Sequence, residues 1–359
     1  MKGDLLRLNH KKIIERYRGY VARKIGVGLV LFLLLVFTCL YALNIGSYSL
    51  SLHEIIKAFL GENLKASLVL WNIRLPRIIG AVLVGASLAV SGCVMQCILR
   101  NPLASPFTMG ISHGAVFGAS LAIGILGAGA TESTGKVFVN NPYIVVIFAF
   151  SGSLFGMLVI LALAKLKGLG PGAMVLAGVA MGSLFTAATT FIQYFATEQQ
   201  LAAMVYWSFG DLGRLVWKEV WIIAAIFFPS FVYFFLKRWD YNAMESGDET
   251  AKSLGVRVER VRFIGALLAS LVTSVAVSLV GIIGFIGLIC PHLVRLLIGG
   301  NHRFLIPTST IFGALLLLIS DSLARTIIAP VVLPVGVLTS FMGAPMFIFL
   351  LIKTKKSLG

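Results

Sequence analysis

The chain has 359 residues, 58% of them apolar and 12% charged, with a mean hydropathy of +0.95 and a formal net charge of +16. Soluble domains carry about a quarter charged residues, so this composition excludes a soluble globular fold and points to an integral membrane protein. A nucleic-acid surface is excluded as the reason for the positive charge, because such a surface needs soluble area that the chain lacks.

Residues 1–24 form a basic segment with eight Lys or Arg between Lys2 and Lys24. It is far longer than the n-region of a cleaved signal peptide, and no small-residue cleavage site follows the apolar run Ile25–Leu43. That run is an uncleaved first membrane helix, and residues 25–359 form one polytopic domain. Ten spans are predicted, near 25–44, 77–98, 107–126, 143–164, 172–195, 219–237, 262–284, 285–299, 305–324 and 335–352. The third and eighth are short or broken by Gly and Pro. An even number of spans puts both termini on one side. The basic residues choose that side: the N-terminal eight, Arg100, Lys165, Lys167, Lys237, Arg238, Lys252, Arg257, Arg260, Arg262, Arg303 and the C-terminal lysines all fall together. By the positive-inside rule it is cytoplasmic, and the bias accounts for the net charge.

Within the second span Ala81, Gly85, Ala89, Cys93 and Cys97 recur every fourth residue. One helix face is therefore a groove of small side chains that admits another helix closely. Asn101-Pro102 and Pro106 break the helix beyond its far end. All four cysteines lie in apolar segments, so disulfides are not expected. Cys93 and Cys97, on the small-residue stripe, serve packing better than metal binding.

A shift of 185 positions reveals an internal repeat: Arg77-Ile-Ile-Gly-Ala81 faces Arg262-Phe-Ile-Gly-Ala266, the stripe is matched by Ala266, Ser270, Ser274 and Ser278, and Pro106 falls on Pro291. Five spans separate the copies, so they run in opposite directions, the inverted topology common in transporters. Between the halves lies the main hydrophilic stretch after the N-terminus, residues 240–262, DYNAMESGDETAKSLGVRVERVR. It can form short cytoplasmic helices, with Ser246 or Asp248 as cap, Gly255 as stop, and Ala251 and Leu254 as apolar contacts.

The only Gly-Lys pair, Gly135-Lys136, is followed by Val137 where a phosphate loop needs Ser or Thr, and Gly is missing five positions before it. The chain therefore carries no phosphate loop of this form. No His, Asp or Glu cluster has metal spacing, and the spans hold few ionisable residues of the kind that relay protons or bind coupling ions. Asp321 and Arg325 are expected to form a local i,i+4 ion pair. For His113 and His292 two readings stay open, contact with substrate or satisfaction of backbone carbonyls, the second being favoured.

The string RLPRIIGAVLVGASLAVSGCVMQCILRNPLASP from Arg74 to Pro106, with Met109-Gly110-Ile111-Ser112-His113-Gly114-Ala115 after it, resembles the membrane permeases of the iron-siderophore, haem and vitamin B12 ABC importers. Matching strings continue through MESGDETAKSLGV, Tyr206–Leu212, GFIGLICPHLVR, Asn301-His302-Arg303, Ser320–Arg325 and LPVGVLTSFMGAPMFIFLL. The resemblance implies an all-α type II ABC importer permease of about ten transmembrane helices in two inverted halves, in the inner membrane of a prokaryote. It implies a second copy of the chain, two ATPase subunits carrying ATP and Mg, and an extracytoplasmic binding protein that delivers an iron chelate, haem or corrinoid.

By the same resemblance Gly247, Asp248, Glu249, Ala251, Leu254 and Gly255 belong to the segment seated on the ATPase. Asn101 and Leu103 close the inner gate, with a companion at Gly170-Pro171, where a relative has hydroxyl residues. Arg74, Arg77 and Arg325 receive carboxylates of the binding protein, although headgroup anchoring also accounts for outward arginines. His113 departs from the small or amide residue usual at its position, so no relative's substrate carries over. The alternative function is a secondary transporter driven by an ion gradient.

Overall fold

The computed structural model describes residues 2–46, 51–131, 137–139 and 141–355. Gly135-Lys136 and Lys356 lie outside the described residues. The order of elements is α1 (Lys2–Asn44), the short α2 (Leu52–Phe59) and α3 (Leu64–Val69), a π-helical turn (Leu70–Arg74), α4 (Leu75–Ile98), α5 (Ile111–Gly124), a small antiparallel hairpin of β1 (Gly129–Thr131) and β2 (Val137–Val139), α6 (Pro142–Lys165), α7 (Pro171–Phe195) and α8 (Glu198–Ser208). Then come α9 (Trp217–Leu236), the short α10 (Arg238–Glu245) and α11 (Asp248–Ser253), α12 (Val258–Val280), α13 (Ile286–Ile298), α14 (His302–Thr326) and α15 (Val335–Lys355). Among the described residues seven helices are long and apolar enough to cross a membrane, and α5, α13 and the apolar part of α15 are shorter. Together they are the ten expected spans, in two halves of five.

Three boundaries differ from the sequence expectation, each for a local reason. The basic segment and the first span form one continuous helix, α1. The third span opens later, because Ser105 and Thr108 cap a 3-10 turn at Pro106–Met109 and Gly110, at φ +75°, redirects the chain into α5. The seventh span stops at Val280 rather than running to residue 284. Gly281 takes φ +81° there, and the Val280 carbonyl accepts the Asp211 N–H at 2.7 Å instead of a helical donor. Phe285, at φ +66°, restarts the chain as α13.

The helix bearing the small-residue stripe is the axis of the fold. α4 is buried almost all round, packing against α14, α12, α13 and α9. The stripe explains how one helix can have so many neighbours: a Cβ on Gly85 would overlap the Gly313 carbonyl of α14, and one on Gly92 would overlap the Gly287 carbonyl of α13. Cys93 and Cys97 are buried in the same packing, the Cys97 thiol donating to the Tyr241 carbonyl at 3.4 Å. The counterpart stripe on α12, Ala266, Ser270, Ser274 and Ser278, is buried as well. α5 packs on α6 and α7 in a second cluster, and α1 lies along α14.

Where backbones touch, an added methyl has no room to relax, so Gly92→Ala should lower stability by about 1–3 kcal/mol, the usual cost of overpacking. Gly26→Ala, with nothing within 4 Å of the added carbon, should not lower it. Thermal unfolding of the purified permease in detergent compares the two; equal midpoints would contradict the close-packed axis.

Candidate functional site: two anchored ends of the bundle

The π-helical turn before α4 brings the predicted arginines together at one end of the bundle. Asp321, fully buried on α14, accepts from Arg77 through Nε at 3.0 Å and Nη2 at 2.8 Å, and pairs with Arg325 Nε at 3.1 Å. The expected Asp321–Arg325 pair is thus present, but Asp321 serves two arginines. Arg325 also donates to the Ile45 carbonyl at 3.0 Å, and Arg74 donates to the Leu43 carbonyl, so the cluster fastens the end of α1 to α4 and α14. Asp211 lies 3.9 Å from Arg77. The arginine side chains are mostly covered, 14% exposed for Arg77 and 7% for Arg325, with Arg74 buried. Arg77, Arg325 and Asp321 form an internal network.

At the opposite end lie the residues expected at the gate and in the coupling segment. Past α4, Arg100 takes φ +49°, and the Asn101 side chain accepts the Leu103 N–H at 2.9 Å, a turn that leaves Leu103 exposed. The companion segment turns through Gly168 and Leu169, at φ +72° and +53°, before Gly170 caps α7 and Pro171 occupies its first turn. These two segments meet at Arg262, which is 1% exposed. Its Nε donates to the Ile98 carbonyl at 2.9 Å, its Nη1 to the Leu169 carbonyl at 3.2 Å, and its Nη2 to Asp248 at 2.8 and 3.0 Å.

The hydrophilic stretch forms two short helices, with a correction to its expected capping. Neither Ser246 nor Asp248 caps α11; Gly247 does, at φ +113°, which no other residue adopts without strain. The Asp248 carboxylate is drawn instead to Arg262 and, at 3.7 Å, to Arg100. Gly255, at φ +84°, ends the turn as expected. Ala251 is buried, while Glu249 and Leu254 face outward. α10 is held by Tyr241, fully buried, whose phenol burial pushes well above its usual range. Glu245 pairs with Arg295 of α13 and lies 3.9 Å from buried His302.

Between the two ends, the break at residues 281–285 helps to line an open cavity of about 530 Å³ with Ser208, Phe209, Ile282, Ser340 and Phe341. Irregular backbone at such depth is tolerated where it is buried in protein or lines a cavity. His113 is exposed beside Gly182, and His292 Nδ1 is buried without a hydrogen-bond partner, so that atom satisfies no carbonyl. Among the described residues, no group of three or more His, Cys, Asp or Glu is placed to hold a metal ion.

Residues 34–353 match the FecCD transport family. The chain belongs to that family. A Methanocaldococcus jannaschii protein named as an ABC transporter permease is 62% identical over 96% of this chain and 99% of its own length. The hemin transport system permease protein HmuU of Yersinia pestis is 37% identical over 94% and 98%. A solved structure described as a metal-chelate type ABC transporter, inward-facing, superposes with a TM-score of 0.80 at 31% identity, covering 91% of this chain and 99% of that one. The chain is therefore an ABC importer permease, a membrane subunit rather than an ATPase.

Sequence reasoning named Arg77 and Arg325 but missed that Asp321 joins them, and it passed over Arg262, Glu245 and Arg295 as anchors. One signal was available: Arg77 and Arg262 occupy the same place in the internal repeat. Asp321→Asn would leave two covered arginines sharing a neutral partner, a loss of about 3–5 kcal/mol by the usual cost of breaking a buried pair. Thermal unfolding of the variant checks this, and a wild-type midpoint would show that the arginines do not depend on the carboxylate.

Proposed function

We propose that this chain is the permease of an ATP-driven importer of the prokaryotic cell membrane. In this reading both termini are cytoplasmic, two copies assemble with two ATPase subunits that carry ATP and Mg, and an extracytoplasmic binding protein delivers an iron chelate, haem or corrinoid. The observation that carries the reading is the α10–α11 segment. Its inner face is locked to the membrane helices, while Glu249 and Leu254 are presented outward, as a segment that receives force from another subunit requires. Arg100, Arg262 and Arg295 contact this segment, and the positive-inside rule assigns its end to the cytoplasm.

The cavity beside the broken 281–285 segment, with exposed apolar residues of α15 such as Phe341 on its wall, fits a pathway completed by a second copy. Its neutral lining suits a large chelate more than a small ion. At the other end, Arg77 and Arg325 are gathered on Asp321, with Asp211 at its margin, which fits a surface where an acidic group of the binding protein docks. Arg77→Glu would face Asp321 and so report on folding as much as docking.

If α11 seats on the ATPase, Leu254→Asp and Glu249→Arg together should sharply reduce copurification of that subunit while the permease still inserts and unfolds at the wild-type temperature. Both side chains point away from the bundle, which separates contact from fold. Undiminished copurification would remove α11 from the interface.

A further inference from the structure

We propose that Arg262 is a positioning residue that makes α11 and both segments of the inner gate move as one body; this rests on the reading of α11 as the ATPase contact. Two backbone carbonyls at this end of the bundle need donors from elsewhere in the chain. Ile98 is the last residue of α4, where helical bonding leaves the final carbonyls without donors. Leu169 sits in a left-handed turn just before Gly170-Pro171. One guanidinium donates to both, and its remaining nitrogen holds the carboxylate of Asp248, the first residue of α11.

These three contacts come from three different parts of the chain. Ile98 lies three residues before Asn101, and Leu169 one before Gly170, so each bond grips the root of a gate segment. Arg100, next to Asn101, adds a second contact to Asp248 at 3.7 Å. A displacement of α11 is thereby carried through Asp248 and Arg262 to both roots together. Glu245, on the preceding helix, pairs with Arg295 on the opposite flank, so the segment is tied at two places and does not swing about one.

Arginine is needed for geometric reasons. Its planar fork directs separate donors to three acceptors at fixed angles, whereas a lysine ammonium is a single centre on a flexible stem. Arg262→Lys keeps the charge and the Asp248 attraction but cannot span the Ile98 carbonyl, the Leu169 carbonyl and the carboxylate together. Complete burial puts Arg262 itself beyond the reach of an ATPase, so its effect on coupling must pass through these partners.

The test is a spin-label distance measurement in the permease–ATPase complex in nanodiscs. Labels go on Leu166→Cys and Lys252→Cys, both exposed, in a Cys39→Ser background whose other cysteines are buried. In the wild type the peak between α11 and the Leu166 turn should stay single and narrow, with and without vanadate-trapped nucleotide. In Arg262→Lys it should lose that narrowness and shift when nucleotide is trapped, although the ATPase still copurifies. Asp248→Asn, which spares both carbonyl bonds, should broaden it too, already in the permease alone, and decides the matter if Arg262→Lys does not fold. A residue that only stabilised the fold would lower the unfolding temperature yet leave the peak nucleotide-independent, and that result would overturn the proposal. Failure of the wild-type permease to bind the ATPase would count against the reading of α11 instead, with the broadening in the permease alone still testing the link.

Discussion

A charged group taken into a low-dielectric helix bundle must bring its counter-charge and hydrogen-bond partners with it, and this requirement organises the molecule. Arg77 and Arg262 open corresponding helices of the two inverted halves, and each is covered on folding. Arg77 is satisfied by Asp321 on α14 and Arg262 by Asp248 on α11. The partners are unrelated by the repeat. One design element has been put to two uses: at one end it joins α1, α4 and α14, and at the other it joins the membrane helices to a segment outside them.

Close packing of α4 makes both anchors effective. Because Gly85 and Gly92 bring α14 and α13 to backbone contact, the bundle has little slack along its axis. Force applied at one end of a tightly packed helix set moves elements as bodies instead of deforming them. The breaks at residues 99–105, 166–170 and 281–285 are then the places where the chain can change direction. The first two carry the residues proposed for the gate, and the third lines the cavity.

The architecture was legible because its causes are local. Hydrophobic length reported the ten spans, four-residue spacing of small side chains reported the central helix, and Gly255 reported a turn end that only glycine adopts freely. What escaped depends on partners distant in sequence. Asp248 looked like a helix cap because Asp often is one, but a buried guanidinium offers a carboxylate more than a free N–H does. Asp321 looked paired with Arg325 alone because Arg77, 244 positions away, is invisible to helical spacing. The end of α12 at Val280 was hidden in an apolar run, since the stop is set by Gly281 and a tertiary bond from Asp211.

The most direct measurement of the central claim is uptake of haem and of a radiolabelled ferric chelate by proteoliposomes holding the permease with its ATPase, supplied with binding protein outside. The account predicts that one of these accumulates only when ATP is enclosed with the ATPase and that collapsing proton and sodium gradients leaves the uptake intact. Accumulation driven by an imposed ion gradient, with the ATPase absent, would contradict it.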